Sequence, residues 1–262
     1  MDPRPNKKLG QHWLDDDTVL EAICDEAQLQ PTDTVFEIGP GLGTLTRHLA
    51  KRARWVIALE FDQELATRLS RQPIADNVTV QQGDILRFDF GSLPRPYKVV
   101  ANVPYYITSK IVRLLLEADN PPELATLLVQ KEVAQRMAAA PGDMSILAVA
   151  VQFYATAVLG PLVPAAFFTP PPEVDSQVIT LRRREQPLFA DVDKADYFRM
   201  VRAGFSEKRK KVRNSLSGGL HLDKAAIDAL LQRAGIALDV RAEELSLEDW
   251  YTITKTYKDM HD

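Results

Sequence analysis

The sequence predicts an α/β fold, in which a doubly wound, mostly parallel sheet is followed by a small helical domain. Short runs of β-branched and aliphatic residues alternate with helical stretches over the first part of the chain. A glycine-rich stretch directly follows the first of these runs, and from about residue 185 the pattern changes to helices and turns. Strands that alternate with helices favour a parallel sheet covered by helices on both faces.

The first helix is predicted in "DDDTVLEAICDEAQ", where three acidic residues precede apolar residues at helical spacing. Strands are predicted in TVFEIG, WVIALE, VTVQQGDI, KVVANV and ATLLVQ, and helices such as GTLTRHLAKRA and DQELATRLSR separate them. The runs ATAVLGPLV and SQVITL flank a proline-rich loop without a helical pattern, so we expect a final antiparallel pair.

The C-terminal part is predicted to contain helices in DKADYFRMVRAGF, DKAAIDALLQRAG and SLEDWYTITKTY. Asp223 and Gly235 are the expected N-cap and C-cap of the second of these, and Ser246 and Asp249 form a capping box at the start of the third. We therefore expect one domain over residues 1–184 and a helical domain over residues 185–262.

Composition excludes several classes of protein. The chain has 262 residues, of which 45% are hydrophobic and 26% charged, so we expect a globular protein rather than a disordered or collagen-like one. The single cysteine cannot close an intramolecular disulfide, and the longest apolar region is interrupted before it reaches membrane length. No leader is visible, and we expect a cytoplasmic monomer that does not bind membranes.

Charge is unevenly distributed along the chain. Residues 181–215 contain 11 Lys and Arg against 5 Asp and Glu, whereas the whole chain has a net charge of −4. A basic segment in an acidic protein is typical of polyanion binding, although many charge runs are only solvated surface. The residues expected to contact nucleic-acid phosphates are Lys208, Arg209, Lys210, Lys211 and Arg213.

The stretch "VFEIGPGLGTLTRHL" predicts a ligand site at the end of a strand. Gly39, Gly41 and Gly43 permit close approach of the backbone to a ligand, but their spacing is not that of a dinucleotide site. Glu60 and Asp84 end the next two predicted strands, where a ribose and an adenine amino group can be held. A ligand-free turn and two solvated acids are the alternative. The ordered combination favours a nucleoside without phosphates, as in S-adenosylmethionine, which becomes S-adenosylhomocysteine on methyl transfer.

The stretch "VVANVPYY" ends the following strand beside the expected cofactor. An adenine amino nitrogen is a poor nucleophile, so a catalyst must accept its N–H bonds and turn its lone pair towards the methyl group. Asn102 offers a side-chain oxygen, and the main-chain carbonyl of Val103 or Pro104 offers a second acceptor. Tyr105 offers a face for stacking. The alternative is an ordinary strand-to-helix turn.

A base inside a duplex cannot reach such a pocket, so we expect a single-stranded or flipped-out target. Phe167 or Phe168, in "FFTPPPEV", is a candidate for stacking on the base, and one of the two is expected in the core. The four histidines show no metal-ligand spacing, and we expect no metal.

These motifs together resemble the ribosomal RNA adenine dimethyltransferase family, from "KKLGQHWL" through "EIGPGLGTLT", "NVPYYIT" and "FFTPPPEVDSQV" to "FSEKRKKVRNSL". The resemblance implies a Rossmann-like S-adenosylmethionine-dependent methyltransferase domain and an RNA-binding C-terminal domain. In the small-subunit branch of the family, it implies dimethylation of two adjacent adenosines in the 3′-terminal hairpin loop of 16S rRNA within the immature 30S subunit.

Position by position, the resemblance implies cofactor contacts at His12, Leu14, Gly39, Glu60, Asp84 and Asn102. It implies a catalytic motif over residues 102–105 and a base-stacking role for Phe168. Trp13 and Val103 depart from the family's usual residues. The alternatives are a 23S rRNA adenine dimethyltransferase of the macrolide-resistance type, a DNA adenine methyltransferase, and a mainly non-catalytic ribosome assembly factor.

Overall fold

The structure is a computed structural model that describes residues 5–6, 9–186, 188–189, 191–207 and 209–261. It divides into two compact units, of which the first comprises Met1–Gln135 and Ala155–Arg183. The second comprises Arg136–Tyr154 and Arg184–Asp262. The sequence analysis expected the division at residues 184 and 185 but did not expect residues 136–154 to cluster with the helical unit.

The first unit alternates strands and helices, as the sequence predicts, and the chain leaves it within α5. Its strands are β1 (Trp13–Leu14), β2 (Thr34–Ile38), β3 (Trp55–Glu60), β4 (Val78–Gln82), β5 (Lys98–Asn102), β6 (Leu124–Gln130), β7 (Ala155–Val163), β8 (Phe168–Thr169) and β9 (Ser176–Arg183). Its helices are α1 (Asp17–Glu26), α2 (Thr44–Arg52), α3 (Gln63–Arg71), α4 (Thr108–Glu117) and α5 (Lys131–Met137).

The main sheet has the strand order β4-β3-β2-β5-β6-β9-β7. Strands β2 to β6 pair in parallel, and β9 pairs antiparallel with both β6 and β7, which confirms the mixed topology expected from the sequence. A separate antiparallel pair joins β1 to β8. From β2 the chain adds strands on one side as far as β4 and then on the other side from β5, so the switch point lies between β2 and β5. Open α/β sheets bind their ligands at such a point.

The sheet is stable because its central strands are buried on both faces. Four of the five residues of β2 and of β5 are buried, as expected for parallel strands covered by helices. Ile23 and Cys24 of α1 pack into the same core as Val35 and Val100. The carboxyl ends of these strands are therefore fixed in position.

The second unit is helical. Its helices are α6 (Ile146–Tyr154), α7 (Lys194–Gly204), α8 (Val212–Leu220), α9 (Lys224–Arg233) and α10 (Leu247–Asp259). Trp250 is fully buried at the centre of its core. The capping box of Ser246 and Asp249 is confirmed, and so is Asp223 as an N-cap. The C-cap of α9 is Ala234 rather than Gly235, which follows it with a φ of 74°.

No helix among the described residues is long and apolar enough to cross a membrane. The described residues also contain no group of three or more His, Cys, Asp or Glu side chains arranged to hold a metal ion.

Candidate active site

A cavity of about 290 Å³ opens at the carboxyl ends of the parallel strands in the first unit. Strands β2 to β5 end there, because the carboxyl ends of parallel strands share one edge of the sheet. The cavity brings together nine residues that the sequence analysis selected: His12, Leu14, Gly39, Gly41, Glu60, Asp84, Asn102, Pro104 and Tyr105. The N-terminal arm, residues 9–14, thus meets the glycine loop and three further strand ends at one place.

The glycine loop joins β2 to α2. Gly39, Gly41 and Gly43 have φ angles of 72°, 58° and 77°, a region that favours glycine. A Cβ atom at Gly39 would have no protein atom within 4 Å, so the loop backbone faces open space there. This geometry leaves room for a ligand against the main chain.

Glu60, at the end of β3, is hydrogen-bonded to the glycine loop. Its carboxylate is 5% exposed and accepts a hydrogen bond from Gly41 N on Oε2 at 2.9 Å and one from Asp62 N on Oε1 at 2.8 Å. Burial raises the pKa of this carboxyl group, and the two main-chain N–H groups oppose the shift. Each carboxylate oxygen can still accept a second hydrogen bond, so Glu60 can hold a pair of ribose hydroxyls.

Asp84 lies just beyond the end of β4. Its Oδ1 atom accepts a hydrogen bond from Leu86 N at 2.9 Å and caps a short 3₁₀ helix over Ile85–Arg87. Oδ2 has no hydrogen-bond partner within the described part of the chain. The carboxylate is therefore oriented by one oxygen, which leaves the other available to accept from an amino group.

Glu37 is a buried carboxyl group of the cavity that the sequence analysis missed. It lines the cavity and is 1% exposed, and its Oε2 atom has no hydrogen-bond partner among the described residues. Burial raises the pKa of Glu37 to about 8, with the Thr46 hydroxyl opposing the shift and Glu60 adding to it. The available signal was one acidic residue inside the otherwise apolar end of β2.

Asn102 ends β5 with its amide held in one orientation. Nδ2 donates to the main-chain oxygen of His12 at 3.2 Å, and Oδ1 has no partner among the residues that the structure describes. The Pro104 carbonyl accepts hydrogen bonds from Ile107 N and Thr108 Oγ1, each at 3.3 Å. The Val103 carbonyl has no such partner within the described ranges. Of the two main-chain acceptors left open by the sequence, Val103 is therefore the free one.

The N-terminal arm is tied across the site. Nδ1 of His12 donates to the Pro170 carbonyl oxygen at 2.7 Å, and the His12 ring stacks on Tyr105 with the ring centroids 5.8 Å apart. Thr44 Oγ1 donates to the Leu14 carbonyl oxygen at 2.8 Å. The arm thus connects the proline-rich loop, the residue 102–105 motif and the first turn of α2.

Tyr105 is held by its hydroxyl group and by the stack of its ring on His12. Its hydroxyl forms a 2.6 Å hydrogen bond with Ser176 Oγ, and burial raises its pKa. Phe168, in contrast, is 3% exposed and packs in the core, where it pairs with Leu14 in the β1–β8 ladder. Phe167 is 42% exposed. The structure therefore places Phe168 in the core rather than in the cavity lining, and its base-stacking role stays a prediction.

The predicted RNA-binding residues lie in the second unit. Arg209, Lys210 and Lys211 are exposed, whereas Lys208 lies outside the described residues. Arg213 is part of a 2.5 Å ion pair with Asp228 and is two-thirds buried, so it is engaged within the unit rather than free for phosphates. The main chains of Lys211 and Arg241 form an isolated antiparallel β-bridge, which places a further exposed cation, missed by the sequence analysis, beside this segment.

The sheet topology, the glycine loop and the carboxylates after β3 and β4 define the class of S-adenosylmethionine-dependent methyltransferases. The chain matches the family described as "Ribosomal RNA adenine dimethylase" over residues 3–259 and belongs to this family. It is an S-adenosylmethionine-dependent rRNA adenine dimethyltransferase, as the resemblance of its motifs implied.

Relatives and solved structures agree with this assignment. The chain is 45% identical to the ribosomal RNA small subunit methyltransferase A of Dehalococcoides mccartyi strain 195, over 97% of this chain and 89% of the relative. It is 42% identical to the Moorella thermoacetica protein of the same name, over 96% and 92%.

Among solved structures, the 23S rRNA methyltransferase ErmE is 32% identical with a TM-score of 0.74, over 94% of this chain and 99% of that one. A dimethyladenosine transferase from Plasmodium falciparum has the same fold, with a TM-score of 0.81 at 24% identity, over 95% and 98%.

Proposed function

We propose that this protein dimethylates two adjacent adenosines in the 3′-terminal hairpin loop of 16S rRNA during assembly of the 30S subunit. The substrate follows the names of its relatives, which are small-subunit methyltransferases aligned over nearly the whole chain. The observation that supports the chemistry is the fixed orientation of Asn102, whose Nδ2 is bound by the His12 carbonyl.

Asn102 and Val103 are proposed to hold the target amino group. The Oδ1 atom of Asn102 and the main-chain oxygen of Val103 accept its two N–H bonds, which turns the nitrogen lone pair away from both acceptors and into the cavity. Pro104 fixes the backbone at this turn, and Tyr105 supports the base by stacking. Positioning and electrostatic stabilisation are the contributions of the protein to this reaction.

The cofactor is proposed to occupy the cavity along the glycine loop. Bound S-adenosylmethionine supplies a methyl group that its sulfonium charge already activates, so we propose that no metal takes part. Glu60 accepts the ribose hydroxyls and Asp84 the adenine amino group, while Gly39 and Gly41 let the ligand approach the main chain. His12, Leu14 and Asn102 close the site from the side of the arm.

The exposed basic segment is proposed to bind rRNA phosphates. Arg209, Lys210 and Lys211 have no ion-pair partner within the described part of the chain, and Lys208 belongs to the same run of sequence. Charge reversal at residues 209–211 should weaken binding to 30S subunits and make that binding less dependent on salt. Each lost phosphate contact lowers, by about 1, the slope of the logarithm of the binding constant against the logarithm of the salt concentration. Arg213→Ala should instead lower stability, since it leaves Asp228 unpaired.

Methyl transfer from labelled S-adenosylmethionine tests the proposed substrate. Unmethylated 30S subunits, 50S subunits, free 16S rRNA and DNA serve as parallel substrates, and the products are analysed as nucleosides. We expect dimethyladenosine only with 30S subunits. Dimethyladenosine in 23S rRNA would overturn the proposal in favour of a large-subunit enzyme, the function in the name of ErmE. Binding to 30S subunits without transfer would indicate an assembly factor.

We also propose that the protein acts as a monomer in the cytoplasm, where ribosomal subunits are assembled. Sedimentation of the protein alone and with 30S subunits tests this, and a dimer as the active species would contradict it.

A further inference from the structure

Tyr106 is an exposed aromatic residue directly beside the catalytic motif. Its side chain is 63% exposed, whereas Asn102, Pro104 and Tyr105 are all partly buried. It lies at the rim of the cavity and is among the residues that line it. Nothing in the proposed reaction at the amino group uses this ring.

One side of the Tyr106 ring is held by the N-terminal arm. A Cβ atom at Gly10 would lie 3.3 Å from Tyr106 Cδ1 and 3.5 Å from Cε1, so the ring contacts the bare main chain of Gly10. Gly10 has a φ of 62°, which favours glycine at this contact. Because Gly10 covers the Cδ1 and Cε1 side of the ring, the solvent-exposed surface of Tyr106 lies on its other side.

The exposed face of α4 continues from Tyr106 with positive charge. Ser109, Lys110 and Arg113 are exposed, while Ile111, Val112 and Leu115 form the buried face. Lys110 has no ion-pair or hydrogen-bond partner among the described residues. The Arg113 side chain is 75% exposed and bonds to Glu117 through Nε, which leaves its terminal N–H groups without a partner in the described ranges.

We propose that this surface, formed by Tyr106, Lys110 and Arg113, binds the RNA strand next to the target adenosine. Tyr106 stacks on the neighbouring base, and Lys110 and Arg113 contact the phosphates beyond it. A single strand is bound by such a combination of an aromatic platform and cations, and each stacked base contributes substantially to affinity. The inference rests on the proposed placement of the target base at Asn102.

A purely structural role of Tyr106 is distinguished by the choice of substitution. If the ring served only to pack on Gly10, then leucine would replace it adequately, because leucine keeps apolar bulk at the contact. If the ring stacks on a base, phenylalanine replaces it and leucine does not. Tyr106→Phe and Tyr106→Leu are therefore compared, with Trp55→Leu as control, because Trp55 is 48% exposed at the opposite, amino end of β3.

The experiment is a double-mutant cycle between the protein and the RNA. Ribosomal subunits are reconstituted with a synthetic RNA segment in which the nucleotide that flanks the adenosine pair on its 5′ or its 3′ side is abasic, and kcat/KM for methyl transfer is measured. We expect an abasic neighbour on one side to lower kcat/KM for the unsubstituted protein and for Tyr106→Phe by roughly 10-fold. Tyr106→Leu should start lower and lose no more than about twofold on the same abasic substrate.

Equal sensitivity of Tyr106→Leu and the unsubstituted protein to both abasic substrates would overturn the inference. Lys110→Glu should reduce the dependence of the logarithm of the RNA-binding constant on the logarithm of salt concentration by about 1. Lys51 is an exposed cation in the last turn of α2, and Lys51→Glu should leave this dependence unchanged. Equal slopes for both variants would likewise contradict it. The cycle is run on whichever rRNA the unsubstituted protein methylates, so a different substrate overturns the proposed function alone.

Discussion

The side-chain amide of Asn102 donates a hydrogen bond from Nδ2 to the main-chain oxygen of His12, which lies 90 residues earlier in the chain. This bond decides which end of the amide faces the cavity. A free Asn side chain can present either its oxygen or its nitrogen, but only the oxygen accepts an N–H bond from adenine. The N-terminal arm thus orients the side chain that we propose to hold the target amino group, and it also lines the cavity.

Substitution of Asn102 should separate transfer from cofactor binding. Asn102→Ala removes the oxygen that accepts from the target amino group, and we expect kcat to fall by about 100-fold or more. Affinity for S-adenosylmethionine, measured by calorimetry, should change by no more than about fivefold. Asn102→Asp keeps acceptor oxygens but cannot donate to His12, so it should also lose activity. Normal turnover in either variant would remove Asn102 from the catalytic assignment.

His12 should matter for cofactor affinity more than for the stability of the fold. His12→Ala loses the bond to Pro170 and the stack on Tyr105 but keeps the main-chain oxygen that Asn102 uses. We expect the Kd for S-adenosylmethionine to rise roughly 10-fold. His261→Ala, which also removes an Nδ1 bond to a carbonyl, is the matched control and should bind normally. Equal affinity of the two variants would contradict a role of the arm in binding.

The two adjacent phenylalanines should differ sharply in stability. Phe168 is buried in the core, so Phe168→Ala should lower the free energy of unfolding by about 3–5 kcal/mol, as urea denaturation would measure. Phe167→Ala should lower it by less than about 1 kcal/mol, because Phe167 is 42% exposed and leaves no closed cavity when truncated. A folded Phe168→Leu variant with a greatly raised KM for RNA would support base stacking by Phe168.

The pH dependence of stability should report the buried Glu37. Its pKa is about 8 in the folded protein, above its ordinary value of 4.5, so the folded state holds a proton that the unfolded chain has lost between these values. The contribution of Glu37 to the free energy of unfolding is fully present below pH 4.5. It is lost as the pH rises towards 8, by up to about 1.4 kcal/mol per pH unit.

Glu37→Gln lacks this titration. We expect the free energy of unfolding of Glu37→Gln minus that of the unsubstituted protein to increase by roughly 2–3 kcal/mol from pH 5.5 to pH 7.5. Glu64→Gln, at an exposed position in the first turn of α3, should show no such trend. A constant difference between Glu37→Gln and the unsubstituted protein would show that the Glu37 carboxyl is ionised throughout.

The core of the helical unit should tolerate no side chain at Gly204. A Cβ atom there would lie 2.1 Å from Cη2 of the buried, rigid Trp250 ring, so Gly204→Ala should destabilise the unit by about 1–3 kcal/mol. Gly218→Ala is the control, because its nearest atom would be Glu207 Oε1 at 3.8 Å and alanine favours the helix. The midpoint temperature of thermal unfolding should fall only for Gly204→Ala. A similar fall in both variants would exclude the clash with Trp250 as the cause.

Much of the site could be predicted because it depends on local pattern and one topological rule. The glycine loop, Glu60 and Asp84 each follow a recognisable strand, and parallel strands bring their carboxyl ends to a common edge. The basic segment was recognisable from its composition, but its residues differ in how exposed they are and in whether they form an ion pair. Arg213 is paired with Asp228, and charge counts contain no information about such a partner.

The sequence by itself determined the order of strands and helices, the glycine loop and the polar residues at the strand ends, because periodicity and turn chemistry are local properties. Only the tertiary structure decided which end of the Asn102 amide faces the cavity, that Phe168 rather than Phe167 is buried, and that Oε2 of Glu37 is buried in the cavity wall without a hydrogen-bond partner among the described residues. Each of these depends on a contact between residues far apart in the chain, where packing and burial, not sequence spacing, set the outcome.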